Sequence, residues 1–131
     1  MSATIKGSLR ATDREIIDLM CERQGWVISR ENESSIYINI DGKNATSINR
    51  VFWITKRTGQ VAYDGDFAEL RELIGTEANP GPVNSFYGIA SSVHMATQHG
   101  LQFTEEVTEE GLPMIEIDVP DHHPILQEMM G

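Results

Sequence analysis

Asp121, His122 and His123 stand side by side near the C-terminus, and carboxylate and imidazole are the side chains that hold catalytic divalent metals. Phosphoesterases of the DHH type use the same three letters. A small metal-dependent hydrolase built on them would need further ligands converging from elsewhere, with Asp118 and Asp64 as the available carboxylates. A polar strand exit closed by Pro124 accounts for the same residues without a metal. His94 and His99 are five residues apart, which places them on different faces of a helix, whereas metal-binding pairs are spaced by three or four. His99, beside Gly100, suits the negative end of a helix dipole. Asp64-Gly65-Asp66 lacks the distal glutamate of a calcium loop, so Asp66 is expected to cap a helix. Cys21 has no activating partner nearby in sequence and falls on an apolar helical stripe, where a thiol is inert. Glycine-rich phosphate loops, serine elbows and zinc-spaced Cys/His sets are absent from the chain. No catalytic, cofactor-binding or metal-binding residue is therefore assigned, and an enzyme is the less favoured expectation.

Charge gives a different kind of signal. Residues 1–60 carry nine Lys/Arg against seven Asp/Glu, a net of +2, while residues 61–131 carry only Arg71 against thirteen acids, a net of −12. The acids Glu105, Glu106, Glu109 and Glu110 crowd one short stretch. Carboxylates tuned for catalysis need an apolar pocket, and this stretch suggests a solvated hairpin tip instead. Such a surface keeps a protein in solution and can dock a basic protein partner. A further alternative is an inhibitor that imitates the charge of nucleic acid. Direct nucleic-acid binding is not expected, because Lys56-Arg57 with Arg50 is too small a phosphate track. On the strand holding Val51-Phe52-Trp53-Ile54, alternation puts Phe52 and Ile54 on one face and Val51 and Trp53 on the other. Both faces are apolar, so Trp53 is a candidate contact for a partner or a second copy of the chain. The expected partner-binding residues are thus Glu105, Glu106, Glu109, Glu110 and Trp53.

These residues need a scaffold, and the periodicity supplies one. At 131 residues, 40% hydrophobic and 23% charged, the chain suits a single domain, 1–131, with one core. Its longest apolar runs are too short to span a bilayer, its N-terminus has no signal-like stretch, and its single cysteine fits a reducing, cytoplasmic setting. Residues 3–9 read as a strand, and Thr12-Asp13-Arg14-Glu15 as a capping box opening a helix that closes at Gly25. Strands follow at 26–30, 35–40, 50–56 and 60–63, with Thr58-Gly59 as a hairpin turn. A short helix, 67–74, is stopped by Asn79-Pro80-Gly81-Pro82. A second long helix runs to Gly100 with Phe86, Ile89, Ala90 and Val93 on one stripe, followed by two strands that turn near Glu109-Glu110-Gly111. The residues 125–130 form a short apolar tail. The order β-α-β-β-β-β-α-α-β-β implies an α+β domain, an antiparallel sheet with helices on one face. It also contains an α-β-β unit twice, from Thr12 and from about Pro82, each with one apolar face for the other to cover.

Three segments carry a resemblance. Thr4-Ile5-Lys6 with a helix closing on Gly25-Trp26, the central Val61-Ala62-Tyr63-Asp64-Gly65-Asp66, and Tyr87 to Ala96 followed by Gly100-Leu101, Glu105-Glu106, Glu110-Gly111 and Ile115-Glu116-Ile117 span most of the chain. In these it resembles the hypothetical chloroplast open reading frame thirty-five family, a domain of unknown function from plastid genomes and cyanobacteria. The chain departs from that family after the central aspartate, where Gly65-Asp66-Phe67 replaces the expected aromatic residues, and in its acidic later half, which has no Lys or Arg after Arg71. The family has no assigned activity, so the resemblance implies a fold and no chemistry. The expectation is a non-enzymatic, acidic interaction protein without a cofactor, binding a protein partner with a basic surface away from membranes, with self-association a further possibility.

Overall fold

A computed structural model describes residues 3–42 and 50–120. In chain order the elements are β1 (Thr4–Arg10), α1 (Arg14–Gln24), β2 (Val27–Glu31), β3 (Ser35–Asn39), β4 (Val51–Thr55), β5 (Gln60–Asp64), α2 (Ala68–Ile74), α3 (Val83–Gln98), β6 (Gln102–Val107) and β7 (Pro113–Asp118). Class and order match the sequence expectation. The strands divide between two sheets, one of five antiparallel strands in the order β1-β5-β4-β3-β2, the other a ribbon of β6 and β7.

Period-two alternation makes the larger sheet two-faced. Ile36 and Ile38 of β3 lie opposite Ile54 and Phe52 of β4, which lie opposite Val61 and Tyr63 of β5. All six are buried, and α1 covers them with Ile16, Ile17, Met20 and Cys21, α2 with Leu70 and Ile74, α3 with Val83 and Ala90. The helices thus share one face. Trp26 meets the fully enclosed Phe52 edge-on at 5.7 Å and 85°, and Phe86 at 6.1 Å and 67°. Enclosing a side chain of the size of Phe52 or Ile54 stabilises the fold by about 1.5–3 kcal/mol each.

The repeated α-β-β pattern has a concrete basis in how its helices end. Gly25 takes φ 76°, its N–H donates to the Glu22 carbonyl, and the Trp26 N–H donates to the Cys21 carbonyl at 2.9 Å. Gly100 takes φ 66°, its N–H donates to Thr97, and the Leu101 N–H donates to Ala96 at 2.8 Å. Both are left-handed terminators in which glycine carries the turn and the next residue is apolar. Beyond them the units diverge. The strands after α1 join the large sheet, whereas β6 and β7 pair only with each other. Glu105 shares a face with Phe103 and Val107, so packing that whole face into the body's apolar core would bury a carboxylate.

Two caps differ from expectation. Asp13, not Thr12, opens α1: its Oδ1 accepts from the Glu15 N–H at 3.0 Å and the Ile16 N–H at 3.4 Å. A carboxylate one residue later reaches both free amides and suits the helix's positive end. Asp66 does not cap α2, whose N-cap is Phe67, without a side-chain bond. The Asp66 N–H instead donates to Asp64 Oδ1 at 3.0 Å, so the aspartate pair closes a turn.

Candidate interaction ribbon

The β6–β7 ribbon gathers most of what sequence singled out. Its register runs unbroken through six pairs, from Gln102 opposite Asp118 to Val107 opposite Pro113. One face carries Phe103, Glu105 and Val107 of β6 with Pro113, Ile115 and Ile117 of β7; the other carries Gln102, Thr104 and Glu106 with Met114, Glu116 and Asp118. The turn is held at both ends, with the Thr108 N–H donating to the Leu112 carbonyl at 2.8 Å and the Leu112 N–H to Thr108 Oγ1 at 3.1 Å. Gly111 supplies the positive φ of 80° this turn needs.

A small core of its own docks the ribbon. Ala96 and Leu101 are buried there, with Met95, Ile117 and Val119 packed around them. Because the Leu101 N–H also closes the turn at the end of α3, the same residue completes the helix cap and seats the ribbon. A second tether comes from α1, where the Arg23 guanidinium pairs with the Glu105 carboxylate.

Away from this anchor the ribbon is exposed. The large hydrophobic side chains exposed among the described residues are Phe103, Val107, Leu112 and Met114, and all four lie on it, with Val107 72% accessible. The same stretch bears Glu105, Glu106, Glu109, Glu110, Glu116 and Asp118 and no cation. Glu106, Glu109 and Glu110 are exposed, while Glu105 is engaged by Arg23. Sequence reasoning located the acids but missed the apolar residues between them. The available signal was Val107 and Leu112 flanking the turn, where a hairpin tip ordinarily carries polar residues.

Trp53 lies elsewhere, on the face of the large sheet opposite the helices. It is half-buried there, with the Tyr37 ring 6.1 Å away and the Arg30 guanidinium 4.1 Å from the Tyr37 centroid. The expected binding residues therefore fall on two separate surfaces.

The other candidates have structural partners. His94 Nε2 lies 3.3 Å from Glu15 Oε2 and ties α3 to α1. Cys21 is buried, and loss of water around it pushes its thiol up to about 12, with Asp18 adding to the rise. Asp64 is committed to its turn. Asp121, His122 and His123, like the apolar tail, lie outside the described residues. Among the described residues no group of three or more His, Cys, Asp or Glu converges as a metal site.

A cavity of about 250 Å³ opens beside α1, floored by Ile17, Ile36 and Ile54. At its mouth Glu31 accepts from Arg14 at 2.6 Å and from Lys56 at 2.8 Å, and these cations hold its carboxyl below the usual range. Both cations are thereby engaged, so the group works as a clamp between α1 and the strands. No described helix is long and apolar enough to cross a membrane. Comparison with protein-family models, with curated proteins and with solved structures finds no match.

Proposed function

We propose that this chain is a non-enzymatic interaction protein that binds a protein partner through the β6–β7 ribbon. The observation that supports this reading most is that, among the described residues, all four exposed large hydrophobics lie on an element that also bears six carboxylates and no cation. An apolar centre rimmed by one sign of charge is how interfaces combine affinity with steering. The complementary partner is apolar in the middle and basic at its edge. Glu106, Glu109 and Glu110 supply the charge; Glu105 contributes less, because Arg23 already engages it. Trp53 offers a second, smaller contact surface on the far side of the sheet, suited to a second copy of the chain. Its single cysteine, buried and unpaired, fits a reducing cytoplasmic setting.

The test places a photo-crosslinking residue at Val107 and, as a control, at the exposed Glu72 of α2. In native cells Val107 should capture a discrete protein that Glu72 does not, and the yield should fall as salt is raised. Equal capture at both positions would remove the ribbon reading.

A further inference from the structure

The two sheets treat their edges differently. Both edge strands of the larger sheet shift register, β1 between Lys6 and Arg10 and β2 between Ile28 and Arg30. Such a bulge leaves a residue unpaired and twists the edge, which discourages another strand from adding. The ribbon has no such irregularity along its six pairs. Among the described residues each strand of this two-stranded sheet has one side without a strand neighbour, and every side chain of β6 is exposed. Half of the N–H and C=O groups of β6 therefore face outward along a regular edge.

The side chains decide what could add there. A neighbour would lie beside Phe103, Glu105 and Val107 on one face, and beside Gln102, Thr104 and Glu106 on the other, with Glu116 and Asp118 one strand further. A second copy of β6 would set carboxylates against carboxylates, which repel across strands. A strand alternating apolar residues with Lys or Arg would match instead. Its apolar side would extend the Phe103–Val107 face, and its cations would meet Glu106, Glu116 and Asp118.

We propose that β6 accepts an added strand from its partner, an extended segment alternating apolar and basic residues that pairs along Gln102–Val107. This rests on the ribbon reading above and specifies its mode: main-chain pairing gives affinity and the alternation gives selectivity.

The probe is an eight-residue peptide alternating valine and lysine, titrated into the full-length protein and followed by fluorescence anisotropy and amide exchange. Saturable binding is expected, at least about tenfold weaker when the peptide's internal amides are all N-methylated, because that removes the donors strand pairing needs. Outward-facing β6 amides should gain protection on binding. N-methylation without effect, or protection confined to other elements, would overturn strand addition while leaving the ribbon's side-chain surface as the binding site. Absence of saturable binding, or a ribbon-mediated dimer in sedimentation, would equally overturn the proposal. The Val107 crosslink is scored separately, so loss of the interaction-surface reading itself is distinguishable.

Discussion

Replacing Leu101 by alanine should release the ribbon without unfolding the body. Leu101 is 8% exposed and forms, with Ala96, the buried centre of the ribbon's small core. Leucine to alanine removes three carbons, worth about 2.4 kcal/mol of transfer free energy at ~0.8 kcal/mol each. Incomplete collapse of the hole brings the expected loss to about 2.4–4 kcal/mol. The remaining contacts, Met95, Ile117 and Val119, are only partly buried, so this loss removes a large share of the docking energy. An undocked two-stranded hairpin is marginal in water and exchanges its amides. At about 1.4 kcal/mol per decade, protection of amides in Gln102–Val107 and Pro113–Asp118 should fall roughly 50-fold or more. Amides of β3, β4 and β5 draw on the other core and should keep their protection. Native-state hydrogen exchange by NMR reads both sets at once. Equal loss in both sheets would refute a separately docked ribbon, and unchanged ribbon protection would refute Leu101 as its anchor.

Other outcomes follow from single groups. Tyr63, fully buried, donates from its hydroxyl to the Gly75 carbonyl at 2.7 Å, so Tyr63→Phe leaves that acceptor unserved. The cost is about 1–2 kcal/mol, read as a fall in Tm of roughly 3–6 °C, and an unchanged Tm would show the bond carries no net stability. Asp41 accepts from Arg50 through both the main-chain N–H and the guanidinium, which holds its carboxyl below its ordinary 3.8. A depressed folded value means the stabilisation is complete above that ordinary value and fades as pH falls toward the depressed one. The Tm gap between wild type and Asp41→Asn should therefore narrow on acidification below about pH 4, and a gap constant with pH would refute the pairing. The Cys21 thiol is raised from 9.0 to about 12, so the folded state holds its proton and loses stability as pH climbs above 9 toward that value. Thiol reagents at neutral pH should label Cys21 only at the rate of opening, and rapid labelling of the native protein would contradict its burial.

How far the sequence could be read depended on whether the determining physics was local. Alternation along Ile36–Ile38 and Phe52–Ile54 specified the strands and their buried face, and Gly25 and Gly100 marked both helix ends, because each signal lies within a few residues. The cap of α1 was displaced by one position, since Thr12 and Asp13 compete for the same amides and only geometry decides between them. The division into two sheets was not visible. It depends on Leu101 meeting Ile117 and Val119, and on Arg23 reaching Glu105, contacts between residues remote in the chain. The acids of the ribbon were evident from composition. The exposure of Val107 and Met114 was not, because strand alternation assigns a face and leaves open whether anything covers it.

One feature of the sheet bears on how this chain could change over time. Asp41 and Arg50 close a ring across the root of the β3–β4 connection, reinforced by the Ile40 N–H donating to the Arg50 carbonyl at 3.0 Å. The strands are thus aligned at the root by Ile40, Asp41 and Arg50, through bonds that join residues remote from one another in the chain. A change at either Asp41 or Arg50 breaks this ring, so the two positions are constrained to vary together.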